Sequence, residues 1–420
     1  GARGRGGGLK RPSRRPSGPG KITSGMAPGC LSNKGGRLTG ARRWLRMNER
    51  LYRMQPQFRN KMSRSVPDGL ISAPATRIYL DHAATTPLCD AARAAMTEGM
   101  ARWANPSSPH AEGRAARAAL EDARARIKAA LGWDGEVIFT SGASEAIAIP
   151  LGRNTAARCV VSPVEHDAVL RVAGDGAERL AVDAQGRVAE VREGALHAIQ
   201  HVNNETGVIQ PIAELAERIH AAAGWLLCDC AQSAGKIDLP TGPDMIAVSA
   251  HKFGGPPGVG ALLVRDLGLL RPTGGQEQGY RGGTENLPGV LAMAAALSQE
   301  RGWMREAARL RDMLDTAIAA AGGVVVAAMA ERIPTIASYH MPGVSARAQL
   351  IRLDTAGIAV SAGAACSSGT LKTSPVLRAL GWEAATADEV IRVSFGPQTR
   401  ETDIHAFLEA WRGMAQAKAA

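Results

Sequence analysis

From Tyr79 onward, apolar runs alternate with helix-period stretches, and loop residues punctuate both. Gly113 to Leu131 (GRAARAALEDARARIKAAL) is a helix pattern, and Gly132 follows it as a natural C-cap residue. Glu136-Val-Ile-Phe-Thr140 is a short apolar run ending in Ser141-Gly142, which predicts a strand meeting a loop. The theme repeats, with strands expected around residues 159–162 and 195–202 and a helix over 212–223 closed by Gly224. Further strands are expected at 225–228, 245–248 and 259–264, then a long helix from Met304 to Ala320. Strands alternating with helices predict an α/β domain with a mainly parallel sheet. The long helix would bridge to a second unit built from the C-terminal strands and helices.

The first 77 residues break this texture. They are rich in Gly, Pro, Ser and Arg, and cannot bury enough apolar surface to offset the entropy of ordering. They are expected to be disordered. Three readings stay open: a stretch foreign to the native chain, an organelle presequence, or a functional basic arm. This segment also explains the formal charge of +11, since it holds 18 of the 50 basic residues and two of the 39 acidic ones. The remainder is mildly acidic, so no nucleic-acid partner is expected. Hydrophobic residues at 45% and charged residues at 21% are ordinary for a globular protein.

Six cysteines are too few for a disulfide scaffold. Cys228 and Cys230 lack metal or redox spacing and are expected to be reduced core residues on one face of a strand; no metal site is expected. No apolar run reaches the roughly 18 residues of a membrane span, and no signal peptide is recognised. A cytoplasmic protein is expected, or a mitochondrial one if the basic segment is a genuine presequence.

Candidate chemistry sits where the strands end. Thr140-Ser-Gly-Ala-Ser-Glu145 runs from a strand into a helix, a place where backbone N–H groups and the Ser144 hydroxyl could hold a phosphate. Glu165-His166, Asn203-Asn204, Asp229-x-x-Gln232 and Ser249-Ala-His251-Lys252 occupy similar positions, beyond the carboxyl ends of strands. Any one of these could be a turn or a cap; five together argue for a site. A lysine placed like Lys252 could be desolvated, which lowers its pKa and suits it to form a Schiff base. Asp229, after an apolar run, suits the acidic partner that a pyridine nitrogen needs.

Eight segments in order carry a resemblance. They are Tyr79-Leu-Asp-His-Ala-Ala-Thr-Thr-Pro87, Asn105-Pro-Ser-Ser-Pro-His110, Thr140–Glu145, Val202-Asn-Asn-Glu-Thr-Gly207, Ser249–Lys252, Arg281-Gly-Gly-Thr-Glu-Asn286, Ser361-Ala-Gly-Ala-Ala-Cys-Ser-Ser368 and Ile391-Arg-Val-Ser-Phe-Gly396. Over about residues 78–415 the chain resembles the NifS/IscS-like cysteine desulfurases of the class V aminotransferase family, which depend on pyridoxal 5'-phosphate (PLP).

The resemblance implies a type I PLP-dependent transferase fold. A large domain over 93–308 would have a mainly parallel seven-stranded sheet. A smaller α/β domain would be formed by 78–92 and 309–420, carrying the catalytic cysteine loop. Lys252 would carry PLP, Asp229 would pair with its ring nitrogen, Gln232 with its ring hydroxyl, and His166 would stack on the ring and assist proton transfers. Ala143, Ser144, Ser249 and His251 would bind the phosphate, joined by Thr284 from the other subunit of a homodimer. Asn204 and Arg392 would bind the carboxylate of L-cysteine, and Cys366, on a loop of small residues, would take the sulfur as a persulfide. The acceptor would be an iron–sulfur scaffold or a sulfur carrier. Alternatives are a selenocysteine lyase, a small-amino-acid aminotransferase, or a catalytically silent protein of this fold acting as a partner.

Overall fold

The structure, a computed structural model, describes residues 77–365 and 371–419. The basic segment expected to be disordered therefore lies outside the described residues, except Arg77, which is ion-paired with Asp354. Arg77 thus belongs with the folded chain.

A seven-stranded sheet organises the larger part. Its strands are β1 (Glu136–Thr140), β2 (Arg158–Val161), β3 (Glu178–Arg179), β4 (Ala195–Gln200), β5 (Trp225–Asp229), β6 (Met245–Ser249) and β7 (Gly260–Val264). Their spatial order is β1-β7-β6-β5-β4-β2-β3, and only β7 runs against the rest. The strands alternate by side. Val137 and Phe139 join one apolar layer and Ile138 the other; Leu226 and Cys228 oppose Leu227, and Ile246 and Val248 oppose Met245 and Ala247. A sheet buried on both faces reads as the near-continuous apolar runs seen in the sequence.

Helices cover both faces. On one side lie α1 (Asp90–Ala101), α2 (Ala111–Leu131), α4 (Ile212–Ala221) and α5 (Leu287–Leu297), while α3 (Ala143–Arg153) packs on the other through Ala146 and Ile147. Gly132 closes α2 in the left-handed conformation, as its sequence position predicts. The expected end of α4 needs correction. The helix stops at Ala221, and the left-handed residue is Ala223 (φ 52°) rather than Gly224. Gly224 serves close packing instead: a Cβ there would lie 2.8 Å from the Ala195 carbonyl oxygen. The strand expected to reach residue 202 ends at Gln200, where the chain turns back so that Val202 bridges Ile209.

A second core forms around a three-stranded antiparallel sheet of β8 (Val324–Val325), β9 (Ile336–His340) and β10 (Val390–Ser394). Helices α6 (Trp303–Ala320) and α7 (Glu401–Ala419) bury Leu310, Leu314, Ile318, Phe407 and Trp411 against it. The N-terminal strand Ile78–Tyr79 pairs in parallel with Ile358–Ala359, so Leu80 joins this C-terminal core. Cys228 and Cys230 are both buried and free, with sulfurs 3.6 Å apart; Cys230 lies just past the end of β5.

Candidate active site

The five clusters named from sequence follow the carboxyl ends of β1, β2, β4, β5 and β6, one edge of the large sheet. Strand order therefore gathers residues spread over more than a hundred positions. The N-terminal segment and β10 supply the remaining groups from the second core.

Lys252 follows β6 on a single turn, Ala250–Lys252. Its amine donates to the carbonyl oxygens of Ala83 (2.7 Å) and Ala84 (2.8 Å), in the Tyr79–Pro87 motif. Burial first, and the Arg392 guanidinium second, push its pKa down to about 8, with Asp229 and Asp81 opposing. A nucleophilic amine is thus within reach near neutral pH. Asp229 ends β5 and is buried; desolvation raises its pKa, while the Ala231 N–H (2.9 Å to Oδ1), His166 and Lys252 oppose that shift. Such a carboxylate gains from a cationic N–H donor.

His166 begins the helix Asp167–Ala173, and its Nδ1 accepts from the Ala168 N–H at 3.1 Å. That bond occupies Nδ1. Desolvation lowers the His166 pKa, with Asp229 opposing, although the residue keeps an exposed surface. Gln232 donates from Nε2 to the same Ala83 oxygen that Lys252 holds, at 2.9 Å. His251 is pushed down to about 4, by burial and then by Lys252 and Lys236, and its Nδ1 lies 3.2 Å from the Thr85 hydroxyl.

The end of the site expected to hold a phosphate is built by close backbone approach. Gly142 caps α3 at φ 149°, and among the described residues no side chain caps that terminus, so the amides of Ala143 and Ser144 remain for an anion. A Cβ on Gly142 would sit 3.5 Å from the Ser249 hydroxyl, and one on Gly260 would sit 2.6 Å from the Gly142 Cα. The lack of a side chain at Gly260 lets the start of β7 approach Gly142 so closely beside Ser249. Amine, buried carboxylate, amide, imidazoles, hydroxyls and uncapped helix amides form a donor set that fits PLP.

Arg392 and Asn204, expected to bind a substrate carboxylate, lie in an unforeseen arrangement. Arg392, buried on β10, donates from Nη1 to the Asn204 carbonyl oxygen at 2.9 Å and from Nη2 to Asp81 Oδ1 at 2.8 Å. Its Nε and the Asn204 side-chain oxygen are buried without partners among the described residues. Asn203, by contrast, is a turn former: its Oδ1 accepts from the amides of Glu205 and Thr206. Asp81, His82 and Lys236 were not singled out from sequence. Asp81 and His82 sit inside a motif quoted for resemblance, and Lys236 lies four residues after Gln232.

One expected residue, Thr284, is not gathered here. Thr284 is exposed, following a loop in which Glu277 and Gln278 take left-handed φ values of 47° and 58°. The buried Glu277 carboxylate holds that loop down, accepting from Arg124 Nη1 (2.9 Å), Arg124 Nη2 (3.1 Å) and the Phe139 amide (2.8 Å). Cys366, with the loop residues that follow it to Thr370, lies outside the described residues. The chain on either side forms a short antiparallel ladder, Ala364–Ala365 with Leu371–Lys372.

The family model described as aminotransferase class-V matches residues 78–407. A cysteine desulfurase of Cereibacter sphaeroides is 36% identical, across 79% of this chain and 94% of that protein. A NifS-like protein from Rickettsia africae superposes with a TM-score of 0.74 at 27% identity, covering 81% of this chain and 99% of that one. SspA, solved in complex with cysteine, superposes with a TM-score of 0.66 at 27% identity, covering 77% and 100%. The large mainly parallel sheet, the lysine after β6 and these likenesses converge: the chain belongs to the class V aminotransferase family and, within it, to the PLP-dependent cysteine desulfurases.

Proposed function

We propose that this chain removes sulfur from L-cysteine, releases L-alanine, and carries the sulfur as a persulfide on Cys366. The observation that carries the reading is the desolvated Lys252 amine, set in one cleft with buried Asp229 and Arg392. The cysteine bound to SspA supports the substrate.

PLP, when bound, supplies an electron sink for the bonds that break next to the substrate's α-carbon. Lys252 would hold it, with Asp229 for its ring nitrogen, Gln232 for its ring hydroxyl and His166 beside the ring. The amides of Ala143 and Ser144 would take the phosphate with Ser249 and His251, joined by Thr284 from a second copy of the chain. Arg392 and Asn204 orient the substrate carboxylate, where the planar guanidinium suits a two-point contact. Once free, Lys252 Nζ takes the α-proton and returns it. The Cys366 thiolate forms an S–S bond to the substrate sulfur as the Cβ–S bond breaks. The electron pair of that bond stays with the substrate carbon, which is protonated on the way to alanine.

We also read 93–308 as one domain, and 78–92 with 309–420 as another, with the cysteine loop on the second. The persulfide would pass to an iron–sulfur scaffold or a sulfur carrier. The test is Cys366→Ala in the purified protein with L-cysteine and a reductant. The variant should keep the cofactor's absorption change on adding L-cysteine and lose sulfide and alanine release. Near-normal release would reject the role given to Cys366.

A further inference from the structure

Beside the cofactor lysine lies a cavity of about 410 Å³ whose walls include Lys252, Lys236, His82, Thr86, Phe253 and Trp303. Most of the cofactor-binding groups lie elsewhere around Lys252; Lys236 is the second amine in this wall. It is buried, and among the described residues its ammonium has no carboxylate within ion-pair distance. Its one hydrogen-bond partner there is the Gln232 side-chain oxygen, at 3.4 Å. Gly235 makes the approach possible: it adopts φ 72°, and a Cβ on it would meet the Phe253 Cβ at 2.7 Å. The Lys236 segment therefore lies directly against the residue that follows Lys252.

These contacts form one chain of hydrogen bonds. Lys236 Nζ donates to Gln232 Oε1; Gln232 Nε2 donates to the Ala83 oxygen at 2.9 Å; Lys252 Nζ donates to that same oxygen at 2.7 Å. An amide has a donor end and an acceptor end, and a donor on one end decides which way it faces. We propose that Lys236 is a positioning residue for the cofactor site, holding the Gln232 oxygen so that the amide NH2 faces the Ala83 oxygen it shares with Lys252, and with it the PLP ring hydroxyl. The proposal rests on the reading that Lys252 carries PLP and that Gln232 meets its ring oxygen.

The surroundings of Lys236 make its hold on Gln232 titratable. Burial, then Lys252 and Arg392, push its pKa down to about 7. His82 and His251 feel its charge, Glu300 lines the same cavity, and Asp229 and Asp81 act on neighbouring Lys252. The ammonium is a stronger donor than the free amine, so the hold weakens as pH rises through that range. An amide that turns presents its oxygen to the ring hydroxyl, favouring the protonated form of that hydroxyl and weakening the cofactor's grip.

The experiment compares the PLP-loaded wild type with Lys236→Met and Lys236→Arg, recording the cofactor's absorption bands from pH 6 to 9 and PLP affinity by titration of the apo-protein. Wild type should change its ratio of long- to short-wavelength bands with a titration that both variants lack. Lys236→Arg, always charged, should keep the low-pH ratio throughout. Lys236→Met should show the high-pH ratio throughout and bind PLP about tenfold more weakly. A Met variant with the wild-type spectrum and titration overturns the proposal, as does an Arg variant that still titrates. If the Met variant does not fold, the comparison of wild type with Lys236→Arg decides alone. Wild type that takes no PLP on Lys252 would instead overturn the underlying reading.

Discussion

Substituting Asp81 by Asn should tighten amino-acid binding, a gain where loss of a charged residue in a cleft usually brings harm. Arg392 presents a fork of Nε and Nη2 on one edge of its guanidinium. Nε is buried and unpartnered among the described residues, while Nη2 is held by Asp81 at 2.8 Å. A substrate carboxylate gripping that fork must first displace Asp81. The ion pair is largely out of solvent, with the Arg392 side chain 8% and the Asp81 side chain 21% exposed, so salt and water screen it weakly. A charge-assisted hydrogen bond contributes about 1.5–3 kcal/mol and a neutral one about 0.5–1.5. Asp81→Asn thus lowers the cost of exchange by about 1–1.5 kcal/mol, or about tenfold in affinity. The assay is equilibrium titration of the PLP-loaded protein with L-alanine, which carries no sulfur to lose, following the cofactor's absorption. Alaninamide, lacking the carboxylate, is the control and should gain nothing. Unchanged or weaker L-alanine binding by Asp81→Asn would refute the exchange.

Two further outcomes follow from the same geometry. Arg124→Met leaves the Glu277 carboxylate, only 1% exposed, without its partner, and should cost about 3–5 kcal/mol in urea unfolding. The double variant Arg124→Met/Glu277→Gln should recover most of that loss, and a double variant no better than the single one would show that the pair is not what holds the 274–283 loop. Lys252 must be neutral to capture PLP, so the capture rate of the apo-protein should rise with pH and level off above about 8. A midpoint near the ordinary lysine value of about 10.4 would show that the amine is not desolvated.

The strands were legible because a sheet covered on both faces needs apolar residues at nearly every position, as in residues 225–229 and 245–249. Gly132 was legible as a helix end because a left-handed cap favours glycine. The same rule misplaced the end of α4, where Ala223 accepts the left-handed turn and Gly224 answers a packing demand from Ala195. Lys252, Asp229 and Gln232 were recognisable as candidates because each ends or follows a strand, and strand ends in such sheets face one edge. What spacing could not show were partnerships across the fold. Asp81 and Arg392 are 311 positions apart, and the bond between them exists only because the N-terminal segment returns to the C-terminal core. Lys236 sits close to Gln232 in sequence, yet nothing in the residue pattern shows that it lacks a carboxylate partner among the described residues.

The most direct test of the whole account is peptide mass mapping of the wild-type protein after brief exposure to L-cysteine. One added sulfur, removable by dithiothreitol, should appear on the peptide containing Cys366. No added sulfur, or sulfur on the peptides of Cys89, Cys159, Cys228 or Cys230 alone, would contradict it.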